Sequence, residues 1–143
     1  MTQRILDIII PHYKEPWEIC RPIFDILNAQ KGVDFNEFKV WLIHDGPVID
    51  FEPSGYFDKS PLQLETVAIK HAGVSACRNK GLELSDAEFV CFCDCDDCFS
   101  SIFSLMMILH VLKDENAKNF DMMWNQFYIH NEKNLGKNIE FNK

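Results

Sequence analysis

Apolar positions along this chain cluster in short blocks, and polar breaks separate them at regular intervals. Ile5-Leu6-Asp7-Ile8-Ile9-Ile10 is rich in β-branched residues and meets Pro11, which predicts a buried parallel strand stopped there. Trp17 to Gln30 carries Ile19, Ile23, Phe24, Ile26 and Leu27 at helical spacing, behind a Pro at position 16. Pro22 lies inside that pattern and predicts an irregular first turn or a kink. Phe38 to Ile43 predicts a second strand, ending at the turn His44-Asp45-Gly46-Pro47. Val48 to Pro61 reads as a loop and Leu64 to Ile69 as a third strand. Gly73 to Leu84 reads as a helix with Gly81 as its weak point, and Glu88 to Cys93 as a fourth strand. Phe99 to Lys113 is helical by pattern, and Asp121 to Ile129 is a fifth strand. The stretch from His130 to Lys143 is a polar tail.

Strands and helices thus alternate from end to end. That order predicts an α/β fold of three layers, with a mostly parallel sheet between helices. Ligands in such sheets bind beyond the carboxyl ends of the strands. Those ends are Pro11-His12-Tyr13, His44-Asp45-Gly46 and Asp94-Cys95-Asp96-Asp97.

Composition narrows the classes. A chain of 143 residues with 47% hydrophobic residues makes one domain with a real core. No apolar run reaches membrane-spanning length, and Ile5 to Ile10 is too short for a secretory signal and carries Asp7. The expectation is a soluble protein of the cytoplasm with no membrane span. A net charge of −8 without a basic block argues against nucleic acid. It leaves room for a phosphate-bearing ligand, provided helix N-termini, placed cations or a divalent metal help locally.

Four of the six cysteines and three aspartates fall within FVCFCDCDDCFS, from Phe89 to Ser100. Either sulfur or oxygen could hold a metal there. Alternate residues of a strand lie about 6.6 Å apart. Sulfurs that share one zinc lie about 3.8 Å apart. Cys91, Cys93 and Cys95 on one strand therefore cannot wrap an ion, and Cys95 and Cys98 form one C-D-D-C with no partner pair. The cysteines read as small buried hydrophobes on a central strand; a thiol-held zinc or cluster, or redox chemistry, are the alternatives. Asp94, Asp96 and Asp97 follow an apolar strand directly, and three carboxylates so close repel one another unless a cation joins them. Hard cations such as Mn²⁺ or Mg²⁺ take such oxygens and share them with phosphates. One of the three could instead cap the following helix.

The order of motifs then carries a resemblance. IIIPHYK, a helix closing on Gln30, IHDGP, GVSACRNKG and FCDCDD follow in series. This resembles the nucleotide-sugar-binding half of inverting family-2 glycosyltransferases, with a Rossmann-like GT-A fold, from about Ile5 to about Met107. The resemblance implies a nucleotide-diphosphate sugar as donor, a UDP-sugar first among them, and Mn²⁺ or Mg²⁺ as cofactor at a DXD motif. It implies that Pro11, His12 and Tyr13 line the base and ribose pocket, with Tyr13 packed on the base. It places Asp45 near the base, Arg78 behind the pocket or on the ligand, and Asp94 at ribose and metal. Asp96 becomes the main metal ligand, and Asp97 a further contact to metal or sugar. His44, Pro47 and Lys14 depart from the residues usual in the family, which leaves the base open.

The acceptor, whether glycan, lipid or protein, is not implied. No motif surrounds Glu132 or Glu140, so no general base is assigned. Residues 1–129 are therefore expected to form the GT-A nucleotide-sugar-binding domain, with 130–143 the start of a missing acceptor half. On that expectation the chain is a piece of a longer enzyme, a split gene product or a shortened natural form. The alternative is a catalytically incomplete nucleotide-sugar-binding module, and a truncated face would expose apolar surface that favours a homodimer.

Overall fold

The computed structural model describes residues 4–47 and 52–119. Four strands lie in one parallel sheet: β1 (Leu6–His12), β2 (Phe38–Asp45), β3 (Leu64–Ile69) and β4 (Phe89–Phe92), in the order β3-β2-β1-β4. Leu6 pairs with Phe38 and His12 with His44, so β1 and β2 end in register. Three helices connect or follow the strands: α1 (Trp17–Asn28), α2 (Val74–Leu84) and α3 (Ser104–Leu112).

Strand pleating sends alternate side chains to opposite faces. Leu6, Ile8 and Ile10 of β1 join Cys20, Ile23, Phe24 and Leu27 of α1 and Leu105, Leu109 and Leu112 of α3 in the larger core. Ile9 points the other way, with Trp41, Ile43 and Cys77 of α2. These are the three predicted layers. Gly81 permits the second contact: a Cβ there would sit 2.5 to 2.8 Å from three side-chain atoms of Ile9. The glycine that weakens the helix by propensity is what lets α2 lie on β1.

Asp7 is the polar exception inside β1. Its carboxylate is fully buried, accepts a hydrogen bond from Trp41 Nε1 at 2.9 Å and lies 2.9 Å from Arg4 Nε. A buried carboxylate with such partners stays inside a strand that is otherwise apolar.

Several boundaries differ from expectation. β1 does not stop at Pro11 but runs through it to His12. Ile9 offers its carbonyl to Cys93 on the β4 side. Two residues on, Pro11 faces that same side, where β4 has already ended, so its missing N–H leaves no partner unmet. β2 extends two residues further than predicted, to Asp45, because His44 and Asp45 continue the ladder with Ala68 and Ile69. Pro22 is exposed within α1, and the first turn is tightened, with both Ile19 and Cys20 donating to the carbonyl of Pro16. α3 starts at Ser104 rather than near Phe99. Gln30 sets that start: its amide donates to the carbonyls of Ile26 and Ser101, and its oxygen accepts from Leu105 N–H at 2.9 Å.

The cysteines need a correction as well. β4 is an edge of the described sheet rather than a central strand, Cys91 and Cys93 on and beside it are half-buried, and Cys98 is exposed. Only Cys20, Cys77 and Cys95 are buried. Among the described residues, no helix is long and apolar enough to cross a membrane. The predicted strand Asp121–Ile129 and the polar tail lie outside the described residues.

Candidate functional site

The carboxyl ends of β1, β2 and β4 meet the start of α2 around a cleft of about 390 Å³. Pro11, His12, Tyr13, Asp45, Asp94 and Asp96 all line it. Arg78 reaches the same place from α2 through a 2.7 Å bond from its Nη2 to Asp94. Asp97 does not line the cleft but belongs to the carboxylate cluster: oxygens of Asp94, Asp96 and Asp97 all lie within 4.8 Å of one another. Among the described residues this is the one group whose geometry could hold an ion, and it contains no sulfur.

Burial pushes the Asp97 carboxyl up, and the charges of Asp96 and Asp94 push it further. One guanidinium, on Asp94, does not balance three carboxylates. A hard divalent ion fits this donor set, because it takes oxygen ligands and removes the repulsion. The cluster forms because β4 ends at Phe92 and the chain then turns, with Asp97 N–H donating to the carbonyl of Asp94 at 3.1 Å.

Asp45 has a second occupation. One of its oxygens accepts from Ala72 N–H at 2.7 Å, and the other from Gly73 N–H at 2.9 Å and from His71 Nδ1 at 2.9 Å. Gly73 precedes α2 at φ 95°, a conformation open to glycine, and has no side chain to cap the helix. Asp45 supplies an anion to that N-terminus from the neighbouring strand. Burial raises its pKa, but the two amides and His71 outweigh this and hold it below the ordinary value.

The floor behind Tyr13 is a histidine pair. His12 Nδ1 lies 2.7 Å from His44 Nδ1, with the rings edge to face. Nε2 of His12 donates to the carbonyl of Glu15 at 2.8 Å. The Glu15 side chain turns back to accept from Tyr13 N–H at 2.5 Å. Burial lowers the pKa of His12, but its bonds to Cys20 and to the Glu15 carbonyl prevail and raise it. His44, buried beside His12, falls to about 4. His12 therefore takes the proton first and donates from both nitrogens, while His44 stays neutral and accepts.

This pair predicts an acid sensitivity. An unfolded histidine titrates near pH 6.5, so stability falls as pH drops from about 6.5 toward the folded value of His44, by about 3 kcal/mol. The raised pKa of His12 acts in a different window, adding stability as pH falls toward 6.5 and none below. Urea midpoints of the wild type and His44→Gln at pH 6.5 and 4.5 check this. The variant is expected to lose much less over that interval, and equal losses would refute the assignment.

Glu15, His71, Gly73, Val74, Cys77 and Cys95 also line the cleft, although sequence reasoning assigns none of them to it: Cys95 enters there only as a possible thiol ligand, His71 only as a member of a histidine set that no spacing supports, and Gly73, Val74 and Cys77 only within GVSACRNKG. Lys14 offered a signal. It stands at φ 63°, a left-handed position where Asn is tolerated better than Lys, and Asn is the residue usual there in the resembling family. Nothing local marks His71, because its role depends on Asp45, which lies 26 residues away in sequence.

A family model described as Glycosyl transferase family 2 matches residues 7–124. No curated protein matches the chain. Among solved structures, residues 1–349 of S. aureus TarS superpose with a TM-score of 0.64 at 21% identity, over 76% of this chain and 32% of that one. The complex of that protein with UDP-GlcNAc gives 0.63 at 20% identity, over 76% and 31%. The mannosyltransferase PcManGT from Pyrobaculum calidifontis, in complex with GDP-Man and Mn²⁺, gives 0.65 at 18% identity, over 81% and 34%. At these identities the likeness concerns the fold. The chain spans about a third of each of these solved chains, and 19% of a longer TarS chain.

Proposed function

The chain belongs to glycosyl transferase family 2 and has its GT-A fold, and from that premise we propose that it is the donor-binding part of a metal-dependent, inverting glycosyltransferase. The observation that carries this reading is the carboxylate cluster of Asp94, Asp96 and Asp97 at the rim of a cleft that also holds an exposed aromatic ring. The donor is a nucleotide-diphosphate sugar, with UDP-sugars first. A bound Mn²⁺ or Mg²⁺ would neutralise the diphosphate and stabilise it as a leaving group.

The chain's own residues divide the remaining work. Tyr13 offers a ring face to the base. Arg78 holds the Asp94 carboxylate at 2.7 Å and leaves Asp96, exposed and lining the cleft, to face the ion and the phosphates. Pro11 and His12 shape the wall beside Tyr13, and Asp45 fixes the start of α2 opposite them. The relatives bind UDP, UDP-GlcNAc or GDP-Man in their own structures, which makes UDP and GDP the nucleotides to compare here.

Calorimetric titration of UDP, GDP and CDP, with and without Mn²⁺, tests the proposal. UDP is expected to bind, and to bind at least tenfold more tightly with Mn²⁺. Failure of every nucleotide to bind in either condition ends the proposal. Release of UDP from UDP-sugars would mark a competent transferase; binding without release would mark a donor-binding module that needs an acceptor side.

A further inference from the structure

A chain of contacts runs around the mouth of the cleft. It passes from His44 to His12, from His12 to the Glu15 carbonyl, and from the Glu15 carboxylate to Tyr13 N–H. From Tyr13 it continues by ring stacking to His71, and His71 returns it through Nδ1 to Asp45, beside His44. The stacked step matters most. The rings of Tyr13 and His71 are nearly parallel, at 15°, with centroids 4.5 Å apart. A planar ring inserted between them would need about 7 Å, twice the usual stacking distance.

Tyr13 has two faces. The Lys14 ammonium lies over the ring at 5.0 Å from its centroid, and the His71 imidazole is stacked on it at 4.5 Å. The cleft is lined by Tyr13 and His71 but not by Lys14. A base tethered to a diphosphate at Asp94 and Asp96 would enter through this cleft, where the imidazole of His71 is already stacked on Tyr13.

We propose that His71 competes with the nucleobase for Tyr13: it occupies the stacking face in the free protein and swings out when a base-bearing donor enters. This rests on the donor-binding reading above and goes beyond it, because it makes His71 a residue that holds down the affinity of any base-bearing ligand and leaves base-free diphosphates untouched. The side chain has somewhere to go, since 59% of it is exposed to solvent. Its departure leaves the start of α2 in place, because Asp45 still holds Ala72 and Gly73 by their amides. Only the His71–Asp45 bond and one stacked face are given up.

The test is calorimetry with Mn²⁺ and two probes, UDP and inorganic pyrophosphate, on the wild type, His71→Ala, His71→Asn and Tyr13→Ala. Removing the competitor is expected to tighten UDP by roughly two- to tenfold, the range of one aromatic stack, and to leave pyrophosphate unchanged. His71→Asn retains a donor toward Asp45 without a stacking ring, so it is expected to match His71→Ala and covers the case of a variant that folds poorly. Tyr13→Ala is expected to weaken UDP alone. Unchanged or weaker UDP binding in both His71 variants overturns the competition. Absence of UDP binding in every protein, wild type included, would instead remove the donor-binding reading on which it stands.

Discussion

Replacing Asp96 with asparagine is expected to weaken Mn²⁺-supported UDP binding by about 100-fold or more, while metal-free binding stays where it was. The reasoning is electrostatic. Asp94 is already paired with Arg78, and Asp97 resists ionisation because burial and its two neighbours raise its pKa. Asp96 is exposed, lines the cleft and forms no ion pair with another of the described residues. It is the carboxylate best placed to give a full negative charge to a hard ion. Asparagine keeps the shape and one oxygen but removes that charge. Outer partners of metal ligands cost about 10- to 100-fold when removed, and a direct ligand should cost no less. Titrations of UDP into both proteins, with and without Mn²⁺, supply the comparison. Equal metal dependence in the two would sink the assignment.

Asp45→Ala is expected to cost about 3 kcal/mol of stability at neutral pH, or a melting temperature lower by roughly 10 °C. The buried carboxylate accepts three hydrogen bonds, two of them from backbone amides at the start of α2. Alanine leaves Ala72 and Gly73 without those acceptors and removes the anion from a helix N-terminus. The sign with pH follows from the depressed pKa. The contribution is present above the unfolded carboxylate value of about 3.9 and is lost as pH falls through the lower folded value. Wild type and variant should therefore converge in strong acid. The family resemblance placed Asp45 near the base. If contact with the base were its only work, the melting temperature would not move and UDP alone, not pyrophosphate, would bind less well.

The two substitutions separate the kinds of information in the site. Asp96 was legible from D-x-D-D after an apolar strand, because consecutive carboxylates at a strand end are local and their repulsion needs no tertiary contact to be foreseen. Asp45 was legible as a site residue by its position at a strand end, but not as the anion that caps α2 through Gly73, 28 residues later. That role exists only because β2 and β3 lie side by side and bring the strand end under the loop before α2.

By itself the sequence determined the alternation of strands and helices, the parallel sheet and the strand ends that carry the polar residues. Periodicity and the placing of Pro, Gly and Asp are short-range properties, and they report on segments of a few residues. Only the tertiary structure decided that β1 passes through Pro11, since that depended on where its neighbour β4 ends. It also decided that His12 faces His44, that Gln30 starts α3, and that His71 lies on Tyr13. Each of these joins residues far apart in the chain, and their distance and orientation are set by how the layers pack.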